Sequence, residues 1–402
     1  MKIFKFFLVF ILVTGAIFAM TVGLNWTAFK TVFSDPESFS EGSEWIEQTY
    51  SLSGLMDFMS ENPQFVSAVS LNIYDESDVI EFNSVEPRVM GATSNIFLLL
   101  EYARQVNEGF ISPNDLINIT EIERFTVPAW YRSGHRSAMQ NLPVENNQAR
   151  LGDIIHLVSK HYSQAVSDWL FFHLGPERVN NLIYTLAGNS IEPWTPGAGI
   201  LATILTRDSE ISITDAVEFW KNQPVDERTN IYIENAYKYF NDDNFHAEVA
   251  LRAGNIRDRL LIEERRIHGL WSRTEPLALT KVMASIFRGD AINEEVSNIV
   301  KEYMYWASED PVIREHTKEY GAVFDSRLGY LIGIDFGTSV YTDKSYAQTL
   351  FFDDLPVAFW LHMSSNFMNH DLQRRFIYDP ASRSRLEAIS ANSEREANEL
   401  EL

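Results

Sequence analysis

Side chains able to act as nucleophiles or general bases are few in this sequence, and none completes a catalytic pattern. There is no Cys, which excludes a thiol nucleophile, disulfides and Cys-based zinc sites. Thr93 and Ser94 stand just ahead of the apolar run 96–100. A hydroxyl at such a helix start could attack a carbonyl, although an ordinary helix-start hydrogen bond is the plainer role for Ser94. His135 follows Gly134 in a loop and is the histidine placed to border a cleft; a hydrogen-bonded loop residue is its plainer reading. Ser163 reads as a polar helix residue, Glu192 as a solvated loop carboxylate, and Trp194 as a core aromatic in a Pro-stiffened loop. No Gly-x-Ser-x-Gly elbow, Gly-rich phosphate loop or His-Glu-x-x-His pair occurs. His362 and His370 are isolated, and the acidic stretch 241–244 is too short for a calcium loop. No metal and no cofactor are expected.

The elements that must position these residues follow from periodicity. Residues 48–60 have helical spacing, with Leu52, Leu55, Met56 and Met59 on one face. Residues 65–74 and 79–82 read as a hairpin, and 93–107 as an apolar helix stopped by Gly109. Helices are expected over 151–174 and 176–186 around Gly175, and through most of 214–289. Residues 328–335, 347–352 and 357–363 read as strands, with Gly337 and Asp353-Asp354 in turns. A hairpin first, helices in the middle and strands last predict an α/β fold. Its sheet is built from both chain ends, flanked by helices, with an inserted all-helical lobe.

The 402 residues carry a formal charge of -23, which repels phosphate backbones and argues against nucleic-acid partners. Lys2 and Lys5 precede an uncharged, largely apolar stretch, residues 6–24. Lysines on that side predict export of the remainder, to a periplasmic or cell-surface location. Two readings stay open: a signal peptide cleaved near Ala16 or Ala19, or a retained anchor that is the only membrane contact. Residues 25–47 read as a polar linker, 48–381 as the folded domain, and 382–402 as a charged tail.

Three stretches in order carry a family resemblance. The first is Val89-Met-Gly-Ala-Thr-Ser-Asn-Ile-Phe-Leu-Leu-Leu-Glu-Tyr-Ala103, followed by Gln105-Val-Asn-Glu-Gly109. The second is Tyr162-Ser-Gln-Ala-Val-Ser-Asp-Trp-Leu170 with Leu174-Gly175. The third is Leu331-Ile-Gly-Ile-Asp-Phe-Gly-Thr-Ser339. Together they resemble the class A β-lactamase and D,D-peptidase superfamily, the penicillin-recognising serine hydrolases. That resemblance implies a Ser-x-x-Lys at the start of the 93–107 helix, a Ser-x-Asn in the second stretch and a Lys-Thr-Gly in the third.

The implied chemistry is missing from all three. Ala92 stands at the nucleophile position and Asn95 at that of its lysine. Tyr162, Ser163 and Gln164 replace the second motif; Leu331 and Ile332 replace the third motif's cation and its neighbour, and Gly333 is kept. Ser-x-x-Lys occurs nowhere in the chain. The expectation is an exported pseudoenzyme that serves as a binding module in the cell envelope. Thr93, Ser94, His135, Ser163 and Gly337 line its vestigial cleft, and its ligand or protein partner is unknown. An active hydrolase with Thr93 or Ser94 as displaced nucleophile is the alternative. A third reading, a structural envelope protein, expects Tyr162 and Phe97 to fill the cleft.

Overall fold

A computed structural model describes residues 36–400, apart from 129, 131, 141, 255–260 and 305–310. The apolar stretch 6–24 lies outside the described residues. Among those described, no helix is long and apolar enough to cross a membrane.

Chain order runs through α1 (Pro36–Gln48), α2 (Leu52–Glu61), β1 (Val66–Asn72), β2 (Val79–Phe82) and α3 (Asn95–Asn107). The inserted lobe includes α4 (Gln164–Leu174), α5 (Pro176–Ala187), α6 (Gly197–Leu205), α7 (Val225–Asn241) and α8 (Pro276–Arg288). The chain then returns through β3 (Thr317–Arg327), β4 (Tyr330–Ser339) and β5 (Ser345–Phe352). It closes with α9 (Val357–Ser365), α10 (Met368–Tyr378) and α11 (Pro380–Leu400).

The five strands form one antiparallel sheet in the order β2-β1-β5-β4-β3, so the two chain ends meet where Ser70 of β1 pairs with Gln348 of β5. Alternation along each strand sends side chains to two apolar layers. Leu71, Val323, Ile332, Ile334 and Phe351 face the large core shared with the helical lobe. Val66, Ala68, Leu331, Leu350 and Phe352 face a second core closed by α2, α9, α10 and α11. Because both faces are covered, β1 and β5 are buried at every residue. Helix α3 is buried nearly all round, as its apolar run requires.

Several expectations need correction. Residues 357–363 form helix α9, not a strand; a short apolar run has no periodicity to separate the two, and Pro356 supplies a helix start. The expected linker 25–47 contains helix α1, whose Trp45 packs against Phe58, Phe65 and Phe359. The charged C-terminal stretch, a mobile tail or a fraying helix by sequence, is helix α11, which is docked: it buries Leu386 and Ile389 and donates a hydrogen bond from Ser390 Oγ to the Glu81 carbonyl of β2. The span 151–174 is two helices, because Tyr162 turns the backbone to φ 49° and Ser163 caps α4 by accepting from the Val166 amide. Gly337 lies within β4 rather than in a turn.

Helices α6 and α7 approach closely at Gly199. A Cβ there would come within 1.9 Å of the Tyr232 carbonyl oxygen. Alanine normally gains about 1 kcal/mol over glycine inside a helix. Here the clash is with backbone, so Gly199→Ala is expected to destabilise by about 3 kcal/mol, as overpacking does. Urea unfolding checks the sign; a variant as stable as wild type would mean the two helices can separate at no cost.

Candidate functional site

Residues 91–94 form a 3-10 turn leading into α3, which places the Ala92 amide at the start of a buried helix. A backbone N–H so placed is a ready donor to an anion. The anion it meets is the chain's own. Ala92 N–H donates to Asp325 Oδ2 at 2.6 Å, bringing β3 onto the turn. Gly91 makes room for it: its φ is 51°, and a Cβ would lie 2.1 Å from that oxygen.

Asp325 is also held by Arg327, whose Nε lies 2.8 Å from Oδ2, with the two side chains only 7% and 9% exposed. The Arg327 guanidinium sits 5.0 Å from the centre of the Trp271 ring and donates to Gln164 Oε1 at 2.9 Å. Gln164 in turn donates through Nε2 to Asp168 Oδ1 at 2.8 Å. Asp168 accepts two further bonds from the first amides of α6, Gly197 N–H at 2.8 Å and Ala198 N–H at 2.7 Å. Burial pushes the Asp168 carboxyl up to about 7, against those amides, Gln164 and the Arg327 charge. The chain of contacts therefore runs from α3 through β3 to α4 and α6.

A second donor on β3 is likewise occupied. The Phe324 N–H donates to the Tyr162 hydroxyl at 3.1 Å. Burial raises the Tyr162 phenol, so it stays neutral and available as an acceptor. On the opposite face of β3, His370 stacks on Phe324 with ring centres 3.9 Å apart, and burial pushes its imidazole down to about 3. The strand edge is thus pinned from both sides.

The hydroxyls beside Ala92 are turned inward. Thr93 donates to the Met90 carbonyl at 2.6 Å and Ser94 to the Gly91 carbonyl at 2.8 Å. Asn95 donates to the Val158 carbonyl at 3.2 Å. His135 meets neither Thr93 nor Ser94. Its Nδ1 lies 2.7 Å from Ser163 Oγ and its Nε2 3.2 Å from Glu123 Oε1. Both Ser163 and His135 are buried.

The third expected stretch is displaced. Leu331 points into the second core, Gly333 lies under Gln373, and Gly337 lies beside Tyr320 and Ile377. These residues belong to β4, one strand behind the edge. The strand that reaches the turn is β3, and Asp325 and Arg327 are the residues that the sequence reading missed. Two opposite charges two apart on an otherwise buried strand were the available signal. Glu192 and Trp194 also lie outside this group: Glu192 pairs with Arg228 at 2.6 Å, and Trp194 packs on Phe171 in the core.

A small pocket reaches Gln164 and Asp168, but the larger cavities lie elsewhere. One of about 1220 Å³ opens between α5 and α7, and one of about 320 Å³ lies beside His135 and Glu123. Neither is lined by the Ala92 turn or by Asp325. Among the described residues, no group of three or more His, Asp or Glu side chains could hold a metal ion.

No protein-family model matches the chain, and no curated protein matches it. Solved structures do. A β-lactamase from Sphaerobacter thermophilus is 13% identical over 85% of this chain and 97% of that one, with a TM-score of 0.48. A β-lactamase from Burkholderia vietnamiensis is 8% identical over 82% and 97%, with a TM-score of 0.49. One from Chitinophaga pinensis is 13% identical over 80% and 99%, with a TM-score of 0.44. The fold itself is mixed α/β, a five-stranded antiparallel sheet covered on both faces by helices. Within it, Ala92, Tyr162 and Gln164 are brought together around Asp325 and Arg327, whereas Leu331, Gly333 and Gly337 are not.

Proposed function

We propose that the chain is an exported pseudoenzyme of the serine-hydrolase type, acting as a binding module in the cell envelope. The observation that carries this is the Asp325 carboxylate seated on the Ala92 N–H. A helix-start amide of this kind stabilises the oxyanion of acyl transfer only when it is free to receive one. Here an internal anion holds it, and the position that would carry the nucleophile is alanine. Removing a nucleophile alone costs on the order of 10⁶ in turnover. With the motif lysines absent, a neutral ligand or a protein partner fits better than a penicillin-like carboxylate. Side chains that close the gap, Tyr162 and Asp325, favour contact through an outer surface.

Intact-mass measurement after incubation with a penicillin and with a fluorophosphonate tests this reading. Wild type and Ala92→Ser/Asn95→Lys are expected to stay unmodified, the latter because Asp325 still occupies the amide. Adding Asp325→Ala to that double variant is expected to permit labelling at position 92. A wild-type adduct would overturn the proposal.

A second reading has one observation in its favour, the hydrogen-bonded series Ser163–His135–Glu123. Serine, imidazole and carboxylate in that order form the relay of an esterase. Against it, Ser163 is fully buried as the cap of α4. Peptide mapping of any wild-type adduct to Ser163 would establish this second reading instead.

A further inference from the structure

On the face of the sheet away from the lobe, a cluster of buried oxygens takes no part in the Ala92 site. Asp335 of β4 has no exposed surface, and its cross-strand partner is Gln348 of β5. Gln373 of α10 covers them; its Oε1 fills the space above Gly333, where a Cβ would come within 1.9 Å of it. Asp335 Oδ2 accepts a hydrogen bond from the Tyr320 hydroxyl of β3 at 2.9 Å.

The remaining oxygens are left over. Asp335 Oδ1, Gln348 Oε1 and Gln373 Oε1 are all buried without a partner. Each glutamine uses one amide N–H on a backbone carbonyl, Gln348 Nε2 on that of Gln373 and Gln373 Nε2 on that of Gln348, which leaves two N–H groups for three oxygens. A cluster short of donors is costly when water cannot enter. One added proton relieves it, because a protonated carboxyl oxygen becomes a donor.

We infer that Asp335 is an uncharged carboxylic acid in mildly acidic solution, and that its O–H, donated to a glutamine amide oxygen, clamps α10 onto the sheet. The groups facing it are Tyr320 from β3, Gln348 from β5, and Gln373, Arg374 and Tyr378 from α10. Arg374 is the charged member of that set, and its field favours the carboxylate. Burial outweighs that field and the neighbouring Tyr320, Gln348 and Gln373 side chains, raising Asp335 to about 7. The folded pKa lies above the ordinary carboxylate value of 3.8, so the folded state binds the proton more tightly. The clamp is therefore complete at low pH and is lost as pH rises through about 7.

The test compares melting temperatures of the full chain and of Asp335→Asn at pH 5.5 and pH 8.5, at constant ionic strength. Asparagine keeps an acceptor for Tyr320 and presents a permanent N–H donor. The two proteins are expected to melt together at pH 5.5, with the variant about 3 °C higher at pH 8.5. Infrared spectra should show a protonated-carboxyl stretch in wild type at pH 5.5 that weakens in the variant. If Asp335→Asn does not fold, Asp335→Thr supplies a second neutral donor for the same comparison. A difference independent of pH, or an unchanged infrared band, would overturn the inference. So would a wild-type melting temperature that rises when sodium replaces choline at fixed pH, since a cation and not a proton would then satisfy the oxygens.

Discussion

Arg327→Met is expected to lower stability by about 3–5 kcal/mol, the cost of leaving one member of a buried ion pair without the other. Asp325 would remain on the Ala92 N–H with its neighbouring cation gone, in a place where both side chains are at least nine-tenths buried. Gln164 Oε1 would lose its donor, and the Trp271 ring its guanidinium. Methionine matches the volume, so packing loss contributes little. Adding Asp325→Asn removes the stranded charge, and the double variant should be more stable than Arg327→Met alone. Urea unfolding of the set reads both effects. A single variant within 1 kcal/mol of wild type would show that water reaches the pair, and with it the Ala92 amide.

Asp168→Ala is the second substitution with a large expected effect. It strips the acceptor from the Gly197 and Ala198 amides and from Gln164 Nε2, three donors in an enclosed position. Each unsatisfied buried donor costs about 1–3 kcal/mol, so a loss of about 3 kcal/mol or more is expected. Its pH dependence has a definite sign. The folded pKa of about 7 exceeds the ordinary carboxylate value of 3.8, so the stabilisation from Asp168 is fullest below pH 4 and declines as pH rises through 7. The gap between wild type and Asp168→Ala should thus be wider at pH 5 than at pH 8. A gap that widened towards alkaline pH would mean that the carboxylate, held by its three donors, is the favoured form.

What could be read from the sequence divides along physical lines. Helix α3 was legible because an unbroken apolar run before a glycine has one outcome, a buried helix. The hairpin of β1 and β2 was legible from alternation around an acidic turn. Strand β3 was not, because Lys318, Glu319, Asp325 and Arg327 interrupt the pattern that marks a strand. Helix α1 was hidden by its Pro and Ser breakers, and α11 was left open between a tail and a fraying helix; a few apolar side chains, Trp45, Leu386 and Ile389, dock them. The positions around Ala92 could be named from local motifs. Their occupation by Asp325 could not, since that contact joins residues more than 200 apart and depends on the register of β3 against the turn.

The sheet that joins β1 to β5 also dictates an order of events in folding. Closing that seam demands contacts across almost the full domain, and such long-range pairing makes folding slow. The hairpin is made first but keeps one bare edge until the last strands arrive. If the chain crosses a membrane amino end first, that edge stands open during translocation, a template for wrong pairing with other emerging chains. Helix α11, which lies against β2, and α8, which packs on β1 and β5, can settle only after that seam has closed.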